Sequence, residues 1–390
     1  MTKTGRLAVA AAVWLGGFAV LRVSLLAPEQ CPDTAAEDFV AAAVGAGEWI
    51  SRNQHPDGRY VYEFDRAGDD VVPGYNIVRH AGVTMSLYHL VRAGYHEALA
   101  PADAGTAMML GDLVPAGEGM AYVEPGASDA RLGASALMAA ALAQRRAATG
   151  DDRYDEELRA LGRFLAGQIT TGGQMLGTFD LRTQAPVPGV TSRYATGEAS
   201  WALAQLHNLF PGEGWDAPAR EVLDYLAIER DAVEELTPAP WPDQWAAYTL
   251  AELASSGLDD HHVVYARSLA ERFGVLLRTE SQKETWPVAF VDPRARGAGL
   301  GVWAEGIGAL GHVAAADERL ADLAAAIDDR LTCGAAILVE RQQDATDAAD
   351  WPSPELVEGA WFRDDVTRMD DQQHVLSGLL VAAGELGPIR

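Results

Sequence analysis

Six stretches of this chain gather carboxylates, arginines, histidines and aromatic rings at the point where a helix is expected to begin. The densest runs from Trp361 to His374 and carries Arg368, Asp370, Asp371 and His374. Asp370 and His374 are one helical turn apart and share a face; Asp371 points about 100° away. One aspartate is expected to cap the helix or pair with Arg368, leaving the other as an acid/base. A second stretch, Thr196-Gly197-Glu198, follows Arg193 and Tyr194 and sets a carboxylate among small residues. That suits an acid/base or a partner for an arginine. A third, Trp241-Pro242-Asp243-Gln244-Trp245, puts an aspartate between two indoles. Asp243 is either a helix cap or an acceptor for hydroxyls of a ring stacked on tryptophan. A fourth opens with Trp303 and Glu305. A fifth offers Tyr75, Asn76, Arg79 and His80, read either as a cation and a titrating imidazole facing a site or as a capped helix with a core histidine. The sixth, near Arg131, is the sparsest, with Glu118 and Glu124 before it.

These starts belong to a repeating pattern of helices. Ala- and Leu-rich stretches with helical periodicity, separated by short Gly/Pro/Asp loops, predict twelve. They are Phe39–Asn53, Asn76–Ala93, Ala98–Val114, Arg131–Thr149, Arg153–Gly167, Arg193–Phe210, Asp216–Glu229, Asp243–Ser255, His261–Arg278, Val302–Ala315, Arg319–Arg341 and Arg368–Leu386. No stretch alternates long enough to demand a strand. The polar starts fall on the even-numbered helices, about 50 to 65 residues apart, in or just above the range of repeat arrays. Those helices are rich in small residues, which an inner ring of closely approaching backbones requires. An open solenoid would need polar capping repeats, and none is evident. The expected fold class is therefore all-α: an (α/α)6 toroid of about twelve helices filling residues 31–390 as one domain. In such a ring the inner-helix N-termini gather at one mouth with their free N–H groups and partial positive charge.

Residues 1–30 stand apart. Lys3 and Arg6 precede an apolar run from Leu7 to Leu21, the pattern of a secretory signal or signal anchor. With no convincing small-residue cleavage site, an uncleaved anchor with an extracytoplasmic body is expected, and secretion after cleavage is the alternative. Cys31 and Cys333 are the only cysteines. They form one disulfide if the protein is exported, or are unrelated thiols. The formal net charge of −26 excludes nucleic acid and anionic lipid as default partners, so membrane contact is expected through the N-terminal segment alone.

Trp49-Ile50-Ser51-Arg52-Asn53-Gln54-His55-Pro56-Asp57-Gly58 ends a helix in a Gln…Asp-Gly turn. That turn resembles the repeat of prenyltransferases and squalene-cyclase-type toroids. The twelve-helix count resembles the six-hairpin glycosidase and N-acylglucosamine 2-epimerase superfamily. The resemblance spans residues 39–390 at the level of architecture and singles out no one family. Terpene chemistry is disfavoured: the Asp-x-Asp-Asp motif is absent, and Asp370-Asp371-Gln372-Gln373-His374 has His where a prenyl-diphosphate motif has its third Asp. Lanthionine-cyclase chemistry needs zinc thiolates that the two cysteines cannot supply. There is no G-x-S-x-G, no H-E-x-x-H, no Walker A and no G-x-G-x-x-G before a helix. The resemblance supports the fold more than the activity. With the polar helix starts at the mouth it leads to the expectation of a carbohydrate-active enzyme, foremost a glycoside hydrolase acting on an oligo- or polysaccharide, with paired carboxylates from Glu198, Asp243 and Asp370 or Asp371 and without cofactor or metal. Tyr75, Asn76, Arg79, His80, Arg193, Trp245, Trp303, Glu305, Arg368 and His374 are the expected substrate contacts. The alternatives are a sugar epimerase using His80 and His374, and a non-catalytic glycan-binding scaffold.

Overall fold

The computed structural model describes residues 2–24, 28–284 and 295–389. Helix α1 (Lys3–Ser24) stands clear of the rest, with Leu7, Val13, Trp14 and Phe18 exposed. Its Lys3–Arg22 portion is long and apolar enough to cross a membrane, and none of it is buried against the body.

The body alternates outer and inner helices in chain order. The outer set is α2 (Ala36–Arg52), α4 (Leu99–Leu110), α6 (Asp155–Ala166), α8 (Asp216–Ile228), α11 (Asp260–Ser281) and α13 (Ala324–Glu340). The inner set is α3 (Ile77–Arg92), α5 (Leu132–Thr149), α7 (Ala195–Leu209), α10 (Gln244–Leu253), α12 (Gly297–Ala316) and α15 (Met369–Ala382). Single-turn helices α9 (Arg230–Val233) and α14 (Ala345–Ala348) sit in loops. Each inner helix packs on the next, and α15 returns to α3, so the ring closes. Each outer helix rests on the groove between two inner ones; α2, first in the chain, sits between α15 and α3. The chain therefore has the six-hairpin α/α-toroid fold. An inner helix has neighbours all round, so its side chains are apolar or small all round. A side chain at Gly301 of α12 would meet the α15 backbone at His374, 2.4 Å from its Cβ.

All twelve predicted helices are present, with four ends displaced by four residues or more. Helix α12 starts earlier, at Gly297; the Arg319 segment is a 3-10 turn over Glu318–Leu323 before α13; α4 stops at Leu110; and α15 stops at Ala382. Short strands, not foreseen, knit the mouth loops. β1 (Glu63–Asp65) lies between β2 (Asp70–Val71) and β8 (Val366–Arg368), pairing Phe64 with Thr367 and so joining the first and last hairpins. β3 (Leu113–Ala116) and β4 (Gly119–Tyr122) form a hairpin. β5 (Asp129–Arg131) pairs with β6 (Thr178–Asp180), which pairs with β7 (Ala185–Pro186). At two to four residues, none is long enough to leave a period-2 signature.

The far end of the ring is stoppered by the C-terminal tail. Arg92 donates to the Gly387 and Pro388 carbonyls, and the Ile389 N–H donates to Glu252. Of the two alternatives for the cysteines, the disulfide is the one found: Cys31 is bonded to Cys333 of α13, and Gln30 exchanges two hydrogen bonds with Gln282. The bond closes a loop of 302 residues, so it restricts the unfolded chain strongly. Cys31→Ser should lower stability by about 2–4 kcal/mol. Melts with and without reductant check this: the gap between wild type and variant should vanish once the wild type is reduced.

Candidate active site

All six inner-helix starts line one cavity of about 890 Å³ at the mouth. They contribute Asn76, Gly133, Glu198, Trp245, Trp303 and His374, among others.

Glu198 lies in the first turns of α7 and is 5% exposed. It fits because α5 offers a glycine opposite: a Cβ at Gly133 would stand 2.6 Å from Glu198 Oε2. Among the described residues, no hydrogen bond or ion pair reaches its carboxyl. Burial, helped by the charge of Asp243, pushes the carboxyl up to about 8. Glu198 is thus a proton donor at neutral pH, on a cavity wall.

Asp370, at the start of α15, also lines the cavity, with Arg79 and Arg368 each 3.3 Å away. Arg79 is steadied by a hydrogen bond to the Tyr62 hydroxyl (2.5 Å). One turn on, His374 faces the same cavity and is bonded through Nδ1 to Glu305, 2.8 Å away. Burial works against a charged imidazole there, but the Glu305 carboxylate outweighs it, so His374 keeps its proton to higher pH than usual. Asp370, Gln373 and His374 all line the cavity. The aromatic share comes from Trp241, Trp245, Trp303 and Tyr194. Trp245 is held by stacking on Trp201, which also stacks on Tyr248.

Several expected contacts stand elsewhere. Asp243 caps α10 by accepting from the Trp245 and Ala246 N–H groups and pairs with the fully buried Arg230. Its carboxylate is consumed behind the wall and does not line the cavity. Asp371 is likewise structural. It accepts from the Arg368 and Ala298 N–H groups and from Arg296, tying the starts of α15 and α12 together. His80 faces outward from the ring: its Nε2–H donates to the Gly105 carbonyl and its Nδ1 accepts from the Tyr75 hydroxyl. Burial pushes this imidazole down to about 4, so it stays neutral, and Tyr75 serves it rather than the cavity. The His80–His374 pair is therefore not assembled. Glu305 is fully buried and reaches the cavity only through His374. Arg368 does so only through Asp370. Asn76 lines the cavity and also caps α3, through the Val78 and Arg79 N–H groups. Arg193 stacks over Trp241 at 4.7 Å.

Sequence reasoning passed over Gln244, Gln373 and Asp129. Gln373 had a signal: it stands three residues after Asp370, on the same face. Asp129 had none, because it sits on a three-residue strand between helices.

No protein-family model matches the chain, and no curated protein matches it in sequence. Solved structures do resemble it in fold. A family 76 glycoside hydrolase from a bovine Bacteroides thetaiotaomicron strain superposes with a TM-score of 0.60 at 14% identity, over 90% of this chain and 78% of that one. The cellobiose 2-epimerase of Spirochaeta thermophila gives 0.56 at 14% identity, over 90% and 99%. A type II terpene cyclase from Scytonema gives 0.51 at 16% identity, over 90% and 99%. One ring thus hosts unrelated chemistries, and the activity must be argued from the site.

Proposed function

We propose that this chain is a carbohydrate-active enzyme of glycoside-hydrolase type, with its site at the mouth of the toroid. The observation that carries the reading is Glu198: a buried, unpartnered, protonated carboxyl on the wall of an aromatic-lined cavity that also holds a second carboxylate, Asp370. Trp241, Trp245 and Trp303 offer faces for sugar rings. The cavity falls within the roughly 300–1,000 Å³ typical of ligand sites, enough for a short oligosaccharide segment. Glu198 donates its proton to the glycosidic oxygen as the bond to the anomeric carbon breaks. Asp370 either takes a proton from water as that water bonds to the anomeric carbon, or bonds to that carbon itself, the resulting glycosyl ester then being hydrolysed by a water whose proton passes to Glu198. Arg79 and His374 hold hydroxyl or acidic groups of the sugar. The chemistry needs no cofactor. The apolar, unburied α1 and the Cys31–Cys333 bond support a body tethered outside the cytoplasm, where disulfides persist.

Proton NMR of the purified protein with pooled plant and bacterial oligosaccharides tests this. New reducing-end anomeric signals are expected, and the first anomer formed gives the stereochemistry. They should disappear with Glu198→Gln. One observation favours a second reading: His374, backed by Glu305, is a positioned imidazole on the cavity wall. Run in heavy water, deuterium entering the sugar ring with no chain cleavage would mean an epimerase or isomerase. One sugar's lines broadening with no reaction would mean a binding protein.

A further inference from the structure

At the opposite end of the ring from the cavity, where α10 gives way to α11, three ligand-type side chains converge. His261 and His262 open α11, and Asp224 projects from the neighbouring α8. Adjacent helical residues point about 100° apart, so the two imidazoles straddle whatever lies between them. That is a single carboxylate oxygen: both Nε2 atoms reach Asp224 Oδ1, at 2.6 and 2.8 Å. The three donor atoms all lie within 4.8 Å of one another. We propose that Asp224, His261 and His262 form a binding site for a borderline transition-metal dication of the Zn²⁺ type.

Three features carry this. Two imidazole nitrogens and one carboxylate oxygen are the donor types of zinc sites, with bonds of about 2.0–2.2 Å. Donors this close need only a small opening, and half-exposed Asp224 has the freedom to make it. Behind the ring of His262, Asp259 places Oδ2 4.0 Å from Nδ1, and Nδ1 is buried without a hydrogen-bond partner among the described residues. A carboxylate that accepts from this nitrogen is the usual outer partner of a metal-bound imidazole, and Asp259, exposed at the helix start, needs to close by only about 1 Å to make that bond. The exposed edges of His261 and Asp224 leave the ion reachable, with room for water to complete its coordination. The bound ion would brace α8 against α11. No metal was expected from the sequence, because no spacing rule covers this arrangement: the carboxylate precedes the histidines by 37 and 38 residues.

The strongly acidic surface would adsorb any dication, so the test must separate donor chemistry from charge. Tag-free, full-length protein in detergent is stripped with chelator and titrated calorimetrically with Zn²⁺. One ion per chain is expected, not displaced by equal Ca²⁺, because imidazole prefers zinc to the hard oxygen-seeking ions. His261→Gln and Asp224→Asn, both at half-exposed positions, should each weaken binding by at least about 10-fold, the loss seen even for an outer-shell partner. Circular dichroism checks that both variants are folded. Co²⁺ should give visible ligand-field bands with the wild type and lose them with His261→Gln. No zinc uptake, equal binding by both variants, or displacement by Ca²⁺ at par would each overturn the proposal.

Discussion

Glu198→Gln is expected to cut turnover by about 10²- to 10⁴-fold, the usual contribution of a general acid, and at the same time to stabilise the protein against alkali. Both effects come from one fact: a carboxyl is buried where nothing rewards its charge. In the unfolded chain the group titrates near 4.5, in the folded chain near 8. Its folded value is raised, so its contribution to stability is fully present below pH 4.5 and drains away as pH climbs to about 8. The loss accrues because the unfolded chain releases the proton first. Each tenfold difference in proton affinity between the two states is worth about 1.4 kcal/mol, so the drain is on the order of 5 kcal/mol. Glutamine does not titrate and escapes it. The stability difference between variant and wild type should therefore grow in the variant's favour from pH 4.5 to 8 and then stay level. Any pH-independent cost of the amide cancels in that comparison. Denaturant melts across pH 4.5 to 9, beside initial rates from the anomeric NMR assay, measure both. Activity should fall as pH rises through about 8, where the acid loses its proton. A variant with unchanged rates, or a stability difference flat in pH, would remove Glu198 from the role given to it.

The ring was legible because it is written in long, periodic elements. Each inner helix combines small residues, apolar residues on all sides and a polar start, and each signal survives without tertiary knowledge. The site was legible only to the resolution of a helix start. Asp370 and Asp371 are adjacent in sequence, and one was expected to cap. Helical geometry separates their directions, but which of them faces the ring's axis depends on how α15 is rotated against α12. The close approach at Gly301 settles that rotation, and it involves residues some 70 positions away. His80 failed for the same reason. It shares a helix start with Arg79, yet one position of offset turns it from the cavity to the Gly105 carbonyl of α4. Pairings between separate elements, such as Glu305 of α12 with His374 of α15 or Arg230 of α9 with Asp243 at the start of α10, leave no local trace. Nor do strands of two to four residues.

Asp243 was open to two readings in the sequence, a helix cap or a contact to the sugar; the structure shows the cap, and Asp243→Asn separates the two by experiment. Asparagine keeps an oxygen to cap α10, so the variant isolates the charge. Arg230 is fully buried, and its Nε and Nη2 have no hydrogen-bond partner among the described residues. Its charge therefore depends on Asp243. Breaking a buried pair from one side costs about 3–5 kcal/mol, and the melting temperature should drop by roughly 5–10 °C. Replacing both partners at once (Arg230→Met with Asp243→Leu) should recover much of that loss, because no charge is left stranded. The kinetic signature differs from that of a catalytic carboxylate. Asp243 helps hold the Glu198 proton in place, so its neutralisation should move the alkaline limb of the rate profile to lower pH. Rates on the acid side should stay within about 10-fold of wild type. If Asp243 instead acted on substrate, the loss would reach about 10²-fold or more at every pH, with little change in melting. Stability and pH profile together thus decide whether this carboxylate touches the sugar or only holds up the wall behind the one that does.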